Sequence, residues 1–554
     1  MFCKKVLRDR RLRGILDTVK HKKISPVQSR SLSLARKLST QTRSKNILKS
    51  SSLLAGGSVL AALLSLSALD FSDGDIPVKE VMLHNNVNDC WIVLNGEIYD
   101  VTSFIGKHPG GAARLLEVAG RDATAKFLQV HSQEVLDRMK NHLIYIGKLK
   151  GRFELVVSEE ELRIEEMKAK IPPIERIFNL SDFEAIAKQV LPKSTFTFYA
   201  TGSSDEFTLR ENHYAYSRIF FKPRILQDID PSEVDCSTTL LGAKVDAPFY
   251  ISGFAGSKLA HPLGERNLQI AAYNANVMEM VPKQNSYSPE EFYSTVPDDQ
   301  SQWMQYHFST PEEVLNFDKV VREAESRPSV KGIFFNVDLA DIGNREKDSR
   351  RRVMDADNIS DLNAIVNNRM GNHPKFSWKD VEKIVSSTNL PIALKGVQRG
   401  EDVVMAAKKG VKAVVLSNHG GRQLDFSRPP LEVLAEANEM LKKQNMQGDI
   451  EIYLDGGVRR GSDIVKALCL GAKGVGLGRP FLYAMAGYGE EGVDHLITIL
   501  KEEIKNNMRL LGVTKIEELN ESFVDYNSLK FRVPKANDSL YDNAYMPLTF
   551  PEFK

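Results

Sequence analysis

Cysteine is scarce in this chain and never closely spaced. The four, Cys3, Cys90, Cys236 and Cys469, stand far apart with no Cys-x-x-Cys pair, so neither a disulfide framework nor a thiolate zinc site is implied. Charge of one sign is missing overall, since 74 Lys and Arg face 72 Asp and Glu. Acidic residues are almost absent from the first fifty positions, where fifteen Lys and Arg meet only Asp9 and Asp17; the rest of the chain holds 59 basic and 70 acidic residues. The basic excess is therefore local, and nothing beyond it offers a basic patch for nucleic acid. Aromatic residues do not interleave with the leading charges, which weighs against a single-strand-binding arm. Long apolar runs are missing too, apart from one uncharged stretch from Ser50 to Leu69 that Asp70 closes.

An Arg-, Lys- and Ser-rich, acid-poor opening with amphipathic stretches such as Val6 to Leu16 has the composition of a mitochondrial transit peptide. A disordered basic arm is the alternative. The run from Ser50 to Leu69, at ~20 residues, is long enough to span a bilayer. With the acidic segment Asp70 to Asp75 after it, the whole reads as a two-part signal that halts in the inner membrane, so residues 1–75 are expected to be a leader. Cleavage beyond the run leaves a protein of the mitochondrial intermembrane space that touches a membrane only through its leader. Retention of the run leaves an anchored one. At 554 residues the chain is too long for one compact core and implies two or three domains.

From Val78 the sequence becomes dense in motifs. Two apolar runs flank Asn95-Gly96, a strong hairpin signal. Phe104 then leads into His108-Pro109-Gly110-Gly111, an amphipathic stretch runs from Ala112 to Val118, and His131 follows after a second short helix ending near Phe127. Two histidines on separate short elements, with Leu115, Leu116, Val118, Phe127 and Leu128 between them, can clamp a flat macrocycle from both faces. Ligation of an iron by two imidazoles fills both axial positions and favours electron transfer over oxygen chemistry. Taken together, these features make residues 76–151 resemble the cytochrome b5 family, which implies that His108 and His131 are the axial ligands of a haem b.

A charged, helix-favouring segment from Ser158 to Lys170, ended by Pro172-Pro173, reads as a linker over 152–179, with Glu159-Glu160-Glu161 a solvated hinge. From Leu180 onward, apolar runs alternate with amphipathic ones: Phe249 to Phe254, Val277 to Val281, Trp303 to Phe308, Gly332 to Val337, Ile392 to Lys395, Ala413 to Ser417, Ile450 to Leu454 and Gly474 to Leu477. Eight strands, each followed by a helix-length segment, predict an α/β fold, a (β/α)8 barrel over 180–528, with a C-terminal tail over 529–554. Four consecutive strand ends carry charged or glycine-rich groups: LKGVQR from Leu394, SNHGGRQLDF from Ser417, LDGGVRRG from Leu454 and GLGRP from Gly476. Barrel enzymes do their chemistry at that end of the strands. A histidine there, His419, followed three positions on by Arg422, puts a base beside a rigid fork of donors suited to a carboxylate.

These motifs resemble the FMN-dependent 2-hydroxy-acid oxidase and dehydrogenase family. The resemblance implies oxidation of a 2-hydroxy acid, L-lactate foremost, by FMN, with electrons passed through the haem to cytochrome c. It casts His419 as the base and Asp338 as the carboxylate that steadies its imidazolium, with Arg422 and Arg345 on the substrate carboxylate and His307 also facing the substrate. For the flavin it implies Tyr199, Ser252, Gln305, Asn336 and Asp455, with Lys395 as the cation beside the ring. Gly456, Gly457, Arg459, Gly478 and Arg479 fall to the phosphate, which needs backbone donors and a cation. A homotetramer is implied as well.

Departures cluster in the first half of the barrel. Phe198-Tyr199 stands where the family has two tyrosines, Phe254 puts a bulky ring beside the expected isoalloxazine, Val281 to Asn285 replaces a Ser- or Thr-rich turn, His307 replaces a tyrosine, and Asn336 a threonine. Losing one hydrogen bond to a charged carboxylate costs ~1.5 to 3 kcal/mol, which weakens a site without abolishing it. Two other readings follow from these changes: the same chemistry on a larger 2-hydroxy acid, or a haem electron carrier with a degenerate barrel.

Overall fold

The computed structural model describes residues 75–108, 112–131, 133–139, 143–153, 158–354 and 374–531. The leader and its apolar run, the Pro109-Gly110-Gly111 turn, most of the polar stretch after Asp348 and the tail beyond 531 lie outside the described residues. Among the described residues, no helix is long and apolar enough to cross a membrane.

The first unit is a small mixed sheet packed with short helices. Strands β1 (Ile76–Pro77), β2 (Asn85–Asn86), β3 (Asp89–Leu94), β4 (Glu97–Asp100), β5 (Arg121–Asp122) and β6 (Ile144–Lys150) form one sheet, in which β4 lies between β3 and β6. The β3–β4 hairpin turns at Asn95 and Gly96, both at positive φ (53° and 80°), the two-residue turn whose twist matches that of its strands. Helices α1 (Ala112–Leu116) and α2 (Thr124–Val130) cover the sheet. Ile92, Leu94, Leu115, Leu116 and Val118 pack into one apolar cluster with Phe127 against it, so the sequence between the two histidines supplies the wall beside them.

The segment expected as a hinge is a capped helix, α3 (Glu159–Lys168). Ser158 and Glu161 form a reciprocal capping box at its start. Glu159 and Glu161 stay toward solvent, but Glu160 accepts from the Lys193 amide at 2.9 Å and pairs with Arg163, which in turn donates to the Leu191 carbonyl. Glu160 thus ties α3 onto the end of α4 (Leu180–Val190) and the start of α5 (Lys193–Ala200), after which comes α6 (Phe207–Ser217).

A hairpin, β7 (Thr238–Leu240) with β8 (Ala243–Val245), precedes a closed barrel of eight parallel strands. These are β9 (Phe249–Ile251), β10 (Met278–Pro282), β11 (Gln302–Tyr306), β12 (Val330–Asn336), β13 (Ile392–Val397), β14 (Ala413–Leu416), β15 (Glu451–Asp455) and β16 (Gly474–Leu477). All eight expected strands are present. Closure comes from β9 pairing with β16, Tyr250 opposite Gly476. A Cβ on Gly476 would lie 2.6 Å from the Tyr250 hydroxyl, so only glycine lets the two strands meet there. Tyr250, Met278, Met280, Trp303, Phe334, Ala393, Ala413, Val415 and Tyr453 fill the barrel interior, with Leu240 and Val245 of the hairpin in the same cluster. The hairpin therefore plugs the N-terminal mouth, with the Leu241 amide donating to the Tyr453 hydroxyl, and the opposite mouth is left for ligands.

Helix α7 (Glu346–Met354) follows β12, and α8 (Arg479–Leu511), bent at Gly489, follows β16. The small unit meets the barrel where α2 contacts the turn Ser257–Leu259 just beyond β9.

Candidate active site

Strand register sets the site. Asn336 on β12 is level with Lys395 on β13, Lys395 with Val415, Leu416 with Leu454, and Asp455 with Gly476. The charged and glycine-rich residues that sequence separates by up to 140 positions thus form one layer at the C-terminal rim.

His419 follows β14 in a left-handed conformation (φ 59°), as do Gly420 and Gly421. A residue with a side chain is strained there, and the surroundings hold it: the His419 amide donates to Ser417 Oγ at 3.0 Å, and Asn418 Oδ1 accepts from the Gly421 amide at 3.0 Å. A Cβ at Gly421 would lie 2.6 Å from Leu209 Cα, so this turn packs directly on α6. The imidazole Nδ1 is 3.1 Å from Asp338 Oδ2. Burial pushes the His419 pKa down, with Lys395 and Arg345 acting the same way, and Asp338 only partly offsets this; the ring is neutral near pH 7. Asp338 is itself buried, which favours its neutral form, but His419 and Lys395 outweigh that and keep it ionised.

Lys395 lies 3.2 Å from Asp455 Oδ2. Burial works against its charge, but Asp455 and then Asp338 prevail and raise its pKa. Asp455 also accepts from Ser417 Oγ at 2.5 Å. Asp455, expected as a flavin contact, lines the cavity and is also the counter-ion that fixes Lys395 and the start of the His419 turn.

Three guanidinium groups converge beside the histidine. Arg422 Nη1 donates to the carbonyls of Phe198 (2.6 Å), Tyr199 (3.3 Å) and Thr201 (3.1 Å), and its guanidinium stacks over the Phe198 ring at 5.2 Å. Phe198, which lacks the family hydroxyl, therefore acts on Arg422 through its ring and carbonyl. Arg345 Nε approaches the Arg422 carbonyl at 3.5 Å. Burial, then Arg345 and Arg479, press against the charge of Arg422. A buried cluster of like charges is a site that an anion relieves.

Two expected phosphate arginines are turned toward the protein. Arg479 places Nε on Tyr199 O (2.7 Å), Nη1 on Gly420 O (2.9 Å) and Nη2 on Thr201 O (3.0 Å), while Arg459 pairs with Glu184. A buried cation collects every acceptor within reach, and here those are backbone carbonyls and a helix carboxylate. Arg479 consequently clasps the α5 terminus to the His419 turn, a role not expected of it. Tyr199 likewise directs its hydroxyl to the carbonyls of Ala255 (3.0 Å) and Gly256 (2.7 Å), away from a purely ligand-facing role.

Sequence reading missed several residues that hold this layer. Asn212 on α6 and Asn418 exchange side-chain hydrogen bonds at 2.8 and 2.7 Å. Gln423 Nε2 donates to the carbonyls of Asp338 (2.6 Å) and Asp341 (2.7 Å), joining the base loop to the loop that carries its partner. Gln423 lies inside the SNHGGRQLDF stretch; nothing in sequence marks Asn212.

The residues present fit a flavin. Ser252 Oγ, Gln305 Oε1, Asn336 Oδ1 and Asp338 Oδ1 are buried with no hydrogen-bond partner among the described residues. Buried polar atoms without partners are rare and mark a ligand edge, and Ser252, Gln305 and Asn336 line the same cavity as Lys395, His419, Gly456, Gly457, Gly478 and Arg459. Phe254 and His307 line it as well, and Phe254 leans toward Gly478, 4.0 Å from where a Cβ would stand. A Cβ on Gly457 would strike the Asn212 carbonyl at 2.2 Å, so this turn accepts only glycine.

The small unit fits a haem. Ring centroids of His108 and His131 are 6.3 Å apart. An iron between two nitrogens at about 2 Å, with each imidazole centre ~1 Å further out, needs roughly that separation. Burial, then His108 and Lys258, lower the His131 pKa to about 4, which keeps the ring in the neutral form that ligates metal. Both histidines open into the cavity that holds His419. Its volume of about 1940 Å³ exceeds the ~300 to 1,000 Å³ of a single small-ligand site.

Comparison with known proteins agrees with this architecture. Residues 187–526 match the family model described as FMN-dependent dehydrogenase, and residues 77–150 the one described as cytochrome b5-like heme/steroid binding domain. The chain is 44% identical to L-lactate dehydrogenase (cytochrome) of Wickerhamomyces anomalus, covering 90% of this chain and 91% of the relative. It is 42% identical to the protein of that name in Saccharomyces cerevisiae, covering 90% of each. Among solved structures, a flavocytochrome b2 variant with pyruvate bound superposes with a TM-score of 0.64 at 45% identity, covering 72% of this chain and all of that one.

Proposed function

The chain belongs to the FMN-dependent dehydrogenase family, and from that premise we propose that it oxidises L-lactate to pyruvate and passes the electrons through its haem to cytochrome c. Two relatives of near-equal length named L-lactate dehydrogenase (cytochrome) support the substrate and the acceptor. The observation that carries the chemistry is the His419–Asp338 pair, 3.1 Å apart at a barrel rim, with Arg422 three positions along the same turn.

When bound, FMN supplies the two-electron acceptor and the haem the one-electron relay. As pyruvate forms, L-lactate loses its hydroxyl proton and its Cα hydrogen with two electrons, and FMN, when bound, would be the acceptor of the latter. His419 takes the hydroxyl proton at Nε2, the ring nitrogen left over once Nδ1 faces Asp338, and Asp338 stabilises the imidazolium that results. Arg422 holds the substrate carboxylate from the Nε and Nη2 edge of its fork, since Nη1 is committed to backbone carbonyls, and Arg345 adds charge beside it. Lys395, steadied by Asp455, offers a cation where charge gathers on the reduced ring. Ser252, Gln305 and Asn336, whose buried oxygens lack partners, would hold the flavin ring, Tyr199 would brace the Ala255–Gly256 backbone, and His307 would border the substrate. The backbone amides of Gly456, Gly457, Gly478 and Arg479 receive the phosphate, with Arg459 beside it. His108 and His131 hold the haem iron.

The domain limits that suit these roles are 76–151 for the haem domain, 152–179 for the linker and 180–528 for the barrel. A basic leader and apolar run over 1–75 support delivery to the mitochondrial intermembrane space, and the family resemblance implies a homotetramer. The test is anaerobic addition of L-lactate to purified protein. The flavin absorbance should bleach and the reduced haem bands should rise. Protein that holds haem but no flavin, or a flavin that lactate leaves oxidised, defeats the reading.

A further inference from the structure

The loop between α5 and α6 contains a buried carboxylate that the reaction does not use. Glu206 is 5% exposed and sits in the left-handed region (φ 57°), as does Ser204 (φ 49°), so the loop carries strain that its contacts must hold. Glu206 Oε1 accepts from the Gly202 amide at 2.8 Å and from Thr201 Oγ1 at 3.0 Å. Its Oε2 accepts from Lys347 Nζ at 2.9 Å, an ion pair whose side chains are 6% and 16% exposed.

Each end of this carboxylate leads to an arginine. Thr201, fixed through its hydroxyl, presents the carbonyl on which Arg422 Nη1 (3.1 Å) and Arg479 Nη2 (3.0 Å) both converge. Lys347 lies two residues after Arg345, at the start of α7, and the Ser204 amide donates to Asn344 O at 2.7 Å just before it. The Ser203 amide bonds Gly421 O at 2.8 Å, so the same loop also holds the turn that bears His419.

We propose that Glu206 is a positioning residue for substrate binding: one carboxylate sets Arg422 through Thr201 and Arg345 through Lys347. This rests on the assignment of those two arginines to the substrate carboxylate. Glu206 touches no reacting atom, so its removal should loosen the grip on the acid and leave the proton transfer alone. Glu206→Gln keeps an acceptor for Gly202 but turns a donor toward the Lys347 ammonium. Lys347→Met removes the other half, and Lys347→Arg restores the pair.

Expected for Glu206→Gln and Lys347→Met is a KM for L-lactate raised about tenfold or more with kcat within about twofold. The affinity for pyruvate, read from perturbation of the flavin spectrum, should weaken in step. Lys347→Arg should stay near the parent, and the double variant Glu206→Gln/Lys347→Met should be no worse than the poorer single one. A lowered melting temperature with KM and pyruvate affinity unchanged would overturn the proposal, as would a fall in kcat at fixed KM. Should Glu206→Gln fail to fold, Lys347→Met and Lys347→Arg decide it alone. Parent protein that neither oxidises L-lactate nor binds pyruvate overturns the functional reading and this inference together; a parent that does both, with variants that match it, overturns this inference only.

Discussion

His419 Nδ1 faces Asp338 Oδ2 at 3.1 Å, and the Asp338 side chain is 1% exposed. A buried carboxylate against one ring nitrogen fixes the tautomer, directs the other nitrogen outward and favours the protonated ring once a proton arrives. Replacing His419 by Gln should therefore lower the rate of flavin reduction by L-lactate by ~10²- to 10⁴-fold, while flavin content stays at that of the parent. Stopped-flow reduction and the flavin-to-protein absorbance ratio check the two halves. Loss of the flavin itself would count against the role given to His419.

The same pair sets the pH profile. The His419 pKa lies below its ordinary 6.5, because burial outweighs Asp338. The base must be unprotonated, so kcat/KM should be flat through neutrality and fall only as pH drops past that lowered value. Asp338→Asn removes the one group that raises the histidine pKa. The acidic limb should then move to still lower pH while the plateau falls by tenfold or more. A limb that moves to higher pH contradicts the assignment.

Much of this site was legible in sequence because barrel strands buried on both faces read as apolar runs, and their ends carry the punctuation. Thus β14 and its SNHGGR turn stood out before any geometry. The strand expected over Phe249 to Phe254 stops at Ile251, since Ser252 onward turns across the rim, where pairing with β16 ends. The direction of Arg479 and Arg459 was not legible, because their acceptors, backbone carbonyls for Arg479 and the Glu184 carboxylate for Arg459, come from residues far away in sequence. Asn212 gave no signal for the same reason: its partner lies 206 positions away. The inward tie of Glu160 within the Glu159 to Glu161 run was not legible either, because its partner amide, that of Lys193, lies 33 positions away.

That amide pair makes its own prediction. Asn212→Ala leaves the buried Asn418 amide short of one donor and one acceptor, a cost of ~1 to 3 kcal/mol. The melting temperature should fall, and the His419 turn, which Asn418 caps through the Gly421 amide, should loosen. Asn212→Asp, which keeps an acceptor but loses the donor, should fall between parent and alanine variant in both stability and rate.

The two cofactors should separate cleanly by mutation. His131 closes α2 with its amide on Phe127 O at 2.8 Å, and its ring stands 4.9 Å from that of Phe127. A change of side chain therefore leaves the helix end intact. His131→Ala removes one imidazole, so the haem should be lost or become open to an added ligand such as imidazole. The barrel chemistry lies on other elements, so L-lactate should still bleach the flavin at about the parental rate, but no electrons should reach cytochrome c. A variant that reduces cytochrome c as fast as the parent would show that the electrons leave the flavin by a route that bypasses this haem.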